Sequence, residues 1–194
     1  MDVDPAANVV VSNAAGSSVV VPVRHGLPVK KTAHPGIVFG KTDFRGILKA
    51  AYVRLTIVNR ENPAKIYYFY VGRKDNQNLL PWGKGEVIEP GYFFLQLPAG
   101  KYEVTAIAIP VSSTVAEEAV ALDMEVSMDK VFYLGTLELD GIKERAKFGG
   151  VPLVKPGFEY TLIVNDDFEA AWKDFEHLLP RHDVPLAKKL FVVK

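Results

Sequence analysis

The chain has 194 residues, 48% of them hydrophobic, with 23 Lys and Arg matched by 23 Asp and Glu. That length and apolar content are enough for a buried core, so a wholly disordered chain is excluded, and a net charge of zero leaves no global field to hold DNA, RNA or an anionic membrane. The lack of any cysteine excludes disulfides, Cys-ligated zinc, iron–sulfur clusters and a thiol nucleophile.

Residues 1–35 read as an extended arm with one or two short strands. Between Pro5 and Val23 no residue is charged, and the β-branched runs Val9-Val10-Val11 and Val19-Val20-Val21 flank a polar stretch from residue 12 to 18. Polar residues break these runs and no positive segment precedes them, so this end does not read as a secretory signal peptide. No apolar run in the chain is long enough for a transmembrane helix.

The body, residues 36–180, reads as strand after strand. Val53, Leu55 and Ile57 alternate with Arg54 and Thr56, and Ile66-Tyr67-Tyr68-Phe69-Tyr70-Val71 follows a turn at Asn59-Arg60-Glu61-Asn62-Pro63, which predicts a hairpin. Residues 92–97 and 101–109 predict a second hairpin across Pro98-Ala99-Gly100. Val120, Leu122, Met124 and Val126 alternate with polar residues as a half-buried strand, whose expected partner is 131–139. Asp140-Gly141 is expected to turn into a strand over 142–148, and a last strand over 158–164 follows Lys155-Pro156-Gly157.

One segment is helical by spacing. Phe168, Ala171, Trp172, Phe175, Leu178 and Leu179 form one apolar stripe opposite Asp167, Glu169, Lys173, Asp174 and Glu176, which predicts a helix over 167–179 lying on the sandwich. Asp166 and Glu169 suit its start and Pro180 its end. Residues 181–194 read as an extended tail, with Leu190-Phe191-Val192-Val193 bracketed by lysines. Short, evenly spaced strands and a single helix predict a mostly β fold, an antiparallel β-sandwich with one C-terminal amphipathic helix packed on it.

The block Tyr92-Phe93-Phe94-Leu95-Gln96-Leu97-Pro98-Ala99-Gly100-Lys101-Tyr102-Glu103-Val104, an apolar strand, then Leu-Pro-x-Gly-Lys-Tyr, then an alternating strand, resembles the transthyretin-like (prealbumin) sandwiches that include carboxypeptidase-regulatory-like modules. Val131-Phe132-Tyr133-Leu134-Gly135-Thr136-Leu137 and the strand-plus-helix over 160–179 are similar to bacterial envelope proteins and lipoproteins of unknown function that carry such a sandwich. The likeness covers about residues 36–180. It implies an exported, non-catalytic accessory or binding domain of the periplasm or cell surface. The chain departs from it in lacking an N-terminal cysteine for lipid attachment, and its arm and tail lie outside it.

Chemistry-bearing motifs are few. Gly36-Ile37-Val38-Phe39-Gly40-Lys41-Thr42 ends like a phosphate loop, but it has three residues between the glycines where four are needed to wrap phosphates. His25, His34, His177 and His182 lack metal-ligand spacing, and no Gly-x-Ser-x-Gly elbow is present. The expectation is therefore no catalytic residue, no metal and no cofactor.

Two surfaces remain as candidates. Tyr68 and Tyr70 share one face of their strand, and with Arg73 and Trp82 they would form a stacking surface for a glycan or peptide. Val9, Val10, Val11, Val19, Val20 and Val21 at one end, and Leu190, Phe191, Val192 and Val193 at the other, are what a sheet edge of a protein partner, a second copy included, would accept. Pairing of each end with its own sandwich is the competing reading. The leading expectation is a non-enzymatic sandwich acting through protein–protein contact; a carbohydrate- or peptide-binding module is the alternative, and a hydrolase assembled from loops a weaker one.

Overall fold

The computed structural model describes residues 8–12, 18–22, 36–49, 52–72, 90–111, 114–148, 151–178 and 184–194. In chain order the elements are β1 (Asn8–Ser12), β2 (Ser18–Pro22), β3 (Gly36–Gly46), a 3-10 turn (Ile47–Lys49), β4 (Val53–Asn59), β5 (Ile66–Val71), β6 (Tyr92–Leu97) and β7 (Gly100–Val111). They continue as β8 (Thr114–Val126), β9 (Val131–Phe148), β10 (Val151–Asn165), α1 (Phe168–Leu178), β11 (Leu186–Lys188) and β12 (Val192–Val193). Two sheets face each other. One has seven strands in the order β10-β9-β3-β6-β1-β2, with β11 also on β9, and the other has five in the order β12-β8-β7-β4-β5.

The predicted sandwich with one helix is what forms, and the β4–β5 hairpin pairs as expected, from Val53↔Val71 to Val58↔Ile66. The seven-stranded sheet is mixed rather than wholly antiparallel. β3 runs parallel to β9, β1 parallel to β6, and β11 parallel to β9. Parallel neighbours need a long crossover: between β1 and β6 and between β3 and β9 the chain makes it by way of the opposite sheet, and between β9 and β11 by way of β10 and α1.

The expected hairpin across Pro98-Ala99-Gly100 is corrected to an arch between sheets: β6 pairs with β3 and β1, whereas β7 pairs with β4 and β8. Burial explains the split. Tyr92, Phe93, Phe94, Leu95 and Leu97 of β6 are all buried, so both faces of this strand need cover. Only the sheet under α1 supplies cover on both sides, while β7 alternates as a strand with one wet face should. The β8–β9 pairing is corrected in the same way, since β8 stays in the five-stranded sheet beside β7 and β12 and the chain crosses at Ser127-Met128-Asp129-Lys130. Nor does Asp140-Gly141 turn. β9 runs straight through it, and Gly141 is needed for close packing: a Cβ there would lie 2.6 Å from Ile47 Cγ1 and from Leu48 Cγ. Lys155-Pro156-Gly157 likewise falls inside β10, where the register with β9 shifts between Pro152 and Gly157.

The sandwich interior is built from alternate residues of both sheets, among them Val38, Leu55, Phe69, Phe93, Val104, Leu122 and Leu137. A second cluster lies on the other face of the seven-stranded sheet, where Ala171, Phe175 and Leu178 of α1 cover Phe39, Tyr92, Phe94 and Tyr133. Asp166 Oδ1 accepts the Phe168 N–H at 3.3 Å at the helix start, as its position in the sequence predicts. Trp172, placed by spacing on the apolar stripe, is instead 39% exposed and donates from Nε1 to Glu176 at 2.9 Å. It flanks the stripe, and its size carries it to solvent.

Candidate functional site

Sheet edges are where a sandwich offers unpaired backbone, and the edges here differ in chemistry; one is the three-residue β11, which adds to β9 on the side where β10 pairs further along. At the edge formed by β10, the register shifts, and the strand is tied across to the opposite sheet. The Phe158 N–H donates to Glu118 Oε1 at 3.0 Å and the Tyr160 hydroxyl to the Ala119 carbonyl at 2.7 Å. At the β5 edge, β1 of the other sheet lies alongside. The β12 edge is two residues long and flanked by lysines, Lys194 Nζ lying 3.1 Å from Asp123 and Lys189 pairing with Glu125.

A further edge is β2, which holds no charged residue within the strand. β2 pairs antiparallel with β1 from Asn8↔Pro22 to Ser12↔Ser18, and β1 is joined in parallel to β6 from Asn8↔Phe93 to Val10↔Leu95. Val9 and Val10 are thereby paired on both sides within the chain and Val11 with Val19 of β2, while Val19, Val20 and Val21 lie on the outermost strand of the seven-stranded sheet. Among the described residues β1 is the only strand paired with β2. The segment carries no charge and no bulge, and its one proline, Pro22, is the last residue of the strand.

The C-terminal candidates are also satisfied by the chain's own sheets. β11 adds to β9 from Leu186↔Val131 to Lys188↔Tyr133, and β12 adds to β8 through Val192↔Asp123 and Val193↔Leu122. Between them the Lys189 N–H donates to the Tyr133 carbonyl at 3.0 Å and the Phe191 N–H to the Leu134 carbonyl at 2.9 Å, so the tail straps one sheet to the other. Phe191 is buried and Leu190 half-buried, whereas Val192 and Val193 are exposed at 58% and 52%. Lys188 Nζ sits 2.8 Å from Asp166 Oδ2, and this hydrogen bond is the main cause holding the Asp166 carboxyl below its ordinary value.

The aromatic candidate has a different character from the one its sequence suggests. Tyr68 and Tyr70 do share the outer face of β5, with ring centroids 6.3 Å apart, and Tyr52 joins them. Tyr70 and Tyr52 are only 8% and 5% exposed, so their ring faces are not an open platform. Burial pushes the Tyr70 hydroxyl above its ordinary range, against the opposing pull of Arg54. Arg73 and Trp82 lie outside the described residues.

Arg54, missed by sequence reasoning as part of this group, lies over the Tyr68 ring at 5.2 Å and reaches Glu117 Oε2 at 2.8 Å. Register explains its reach: Arg54 pairs with Ala108 and Ala108 with Glu117, so a methyl side chain on the middle strand is what lets the guanidinium cross. Alanine at the outward position of β7 was the available signal.

Other titratable groups serve packing. The Tyr92 hydroxyl donates to Asp174 at 2.5 Å, fastening α1 to β6, and burial together with that carboxylate pushes Tyr92 well above the usual tyrosine range. His177 Nδ1 lies 2.8 Å from the Lys173 carbonyl on the exposed side of α1. Among the described residues no group of three or more His, Asp or Glu is placed to hold a metal ion, and no helix is long and apolar enough to cross a membrane. A shallow depression at the start of α1, lined by Asp166, Asp167, Phe168, Glu169 and Lys188, is an acidic helix start already engaged by Lys188. Comparisons with protein-family models, with curated proteins and with solved structures find no match.

Proposed function

We propose that this protein is a non-enzymatic β-sandwich that works by protein contact at a sheet edge, taking up an extended strand of a partner beside β2. The observation that carries the reading is the strand itself: β2 holds no charged residue and no bulge, and among the described residues β1 is the only strand paired with it. The likeness of the Leu97-Pro98-Ala99-Gly100-Lys101-Tyr102 block to transthyretin-like modules supports the same role, and an exported location with it. The glycan alternative loses support from the enclosure of Tyr70 and Tyr52 and from the engagement of Arg54 with Glu117.

Parallel arrays of extended peptides and of glycans test this. Binding to β-prone peptides is expected, lost in Val20→Pro and kept in Tyr68→Ala. Glycan binding abolished by Tyr68→Ala, or peptide binding indifferent to Val20→Pro, would overturn it.

A further inference from the structure

We propose that the cradle holding residues 184–194 is a peptide-recognition site whose built-in occupant is the chain's own segment. In trans it takes an extended segment of the same chemistry, two adjacent lysines between apolar anchors. This surface is separate from the β2 edge and does not rest on it.

Strand geometry sets the chemistry of recognition. Adjacent residues of an extended strand point to opposite sides, so Lys188 and Lys189 cannot share one acidic patch. Each has its own clip, made of a carboxylate and an aromatic ring. Lys188 Nζ lies 2.8 Å from Asp166 Oδ2 and 5.9 Å from the centre of the Phe168 ring. Lys189 Nζ pairs with Glu125 and lies 5.2 Å from the centre of the Phe132 ring. The apolar anchors divide in the same way: Leu186 packs in the cluster beneath α1, and Phe191 packs in the sandwich interior.

Main-chain bonds complete a strand-addition mode of binding. The Pro185 carbonyl accepts the Val131 N–H at 3.0 Å, and the Lys189 and Phe191 N–H groups donate to the carbonyls of Tyr133 and Leu134. β10 ends its pairing with β9 at Asn165↔Thr136, so among the described residues β11 is the strand that covers β9 from Val131 to Tyr133 on this side.

No other strand depends on this segment. Without β11 and β12 the order β10-β9-β3-β6-β1-β2 remains one path and β8-β7-β4-β5 the other, so residues 184–194 can leave without breaking any other strand pairing. A covalently joined occupant competes at an effective concentration on the order of millimolar, which keeps the site closed to a weaker segment from outside.

Fluorescence anisotropy of a labelled peptide of residues 184–194, added at micromolar concentration to the full chain, tests this. The unaltered chain should bind it weakly, because its own segment fills the site. Phe191→Ala in the chain removes a buried anchor of the built-in occupant and leaves the cradle intact, so it should tighten peptide binding about a hundredfold. Lys188→Ala with Lys189→Ala, at two exposed positions, weakens the occupant without touching the core and should tighten binding about fivefold, which keeps the test open if Phe191→Ala does not fold. A peptide that itself carries Lys188→Ala and Lys189→Ala should bind both variants more weakly than the unaltered peptide.

Absence of peptide binding by the folded variants, or equal binding of a peptide carrying Lys188→Ala, Lys189→Ala and Phe191→Ala, would overturn the site. Val20→Pro should leave the binding unchanged. Binding that Val20→Pro abolishes and that ignores the lysine and phenylalanine changes would place the peptide at β2, which sinks the cradle and supports the edge.

Discussion

The two ends of the chain solve the same problem in opposite ways. Each adds two short strands to the sandwich, the N-terminal pair beside β6 and the C-terminal pair beside β9 and β8. The C-terminal strands are fastened by a buried phenylalanine and closed off by Lys188, Lys189 and Lys194, all three in ion pairs. The N-terminal strands carry only valines, serines, an asparagine and a proline, and β2 is the outermost strand of its sheet. Lysines beside an apolar strand oppose edge-to-edge pairing, and neither β1 nor β2 holds one. One end therefore straps the two sheets together, and the proposed contact lies at the other.

The sharpest way to break this contrast is to compare one residue from each end. Phe191 is buried where the strap crosses between the sheets, so Phe191→Ala should cost about 3–5 kcal/mol in urea unfolding. Val20→Pro, on the outermost strand, should abolish the proposed strand uptake while leaving the urea midpoint closer to the unaltered value than Phe191→Ala does. A small effect at Phe191 would show that the tail is not part of the fold.

Next in size is Gly135. It has φ of +96°, and an added Cβ would lie 2.8 Å from Val164 Cγ1, 3.0 Å from the Asn165 carbonyl oxygen and 3.3 Å from Leu190. The register between β3 and β9 shifts beside it, between Phe39↔Tyr133 and Lys41↔Thr136, and the tail binds the carbonyls of Tyr133 and Leu134 just before it. Gly135→Ala should cost about 1–3 kcal/mol and speed hydrogen exchange at the Phe191 amide before that of β2. Unchanged exchange at Phe191 would separate the bulge from the strap.

These two tests also mark what the sequence could and could not convey. Alternation revealed the strands, because a half-buried strand writes its two faces into its residues, and the 3.6-residue stripe revealed α1 for the same reason. Partners were not legible. Leu97-Pro98-Ala99-Gly100 has the composition of a hairpin turn, and whether the chain reverses within a sheet or crosses to the other depends on how both faces of β6 are covered. Asp140-Gly141 misled similarly, since its glycine answers to a close approach by Ile47 and Leu48, far away in sequence. The uncharged valines announced an edge strand, but only the observed order of strands separates β1, enclosed between neighbours, from β2 at the rim.

Both ends hang on that arch, since β6 carries β1 and β7 carries β8 and through it β12. Tyr102, fully buried, donates its hydroxyl to the Pro98 carbonyl at 2.7 Å and closes the arch. Tyr102→Phe should cost about 1 kcal/mol and loosen both ends alike. Burial is the main cause that pushes the Tyr102 hydroxyl up to about 12 from an ordinary 10.0. A folded value above the unfolded one means that its contribution is complete below pH 10 and is lost as pH rises through 12. Unfolding midpoints measured across that window should fall more steeply for the unaltered chain than for Tyr102→Phe, and parallel curves would place the alkaline sensitivity elsewhere.

The smallest effect separates the ends by acid. Asp166 is held below its ordinary 3.8, first by its hydrogen bond from Lys188. Its contribution is therefore present above that value and lost as pH falls through the lowered one. The pair is exposed and salt-screened, so its loss should not move a urea midpoint but should show as faster exchange of the Lys189 amide, which is bonded to the Tyr133 carbonyl one residue beyond. Asp166→Asn should bring that faster exchange to neutral pH. β2 itself has no titratable side chain, so the proposed strand uptake at that edge, measured over the same acid range and at raised salt, should hold constant. Uptake that weakens in step with the Lys189 amide would mean that the charged end, and not the valine strand, carries the contact.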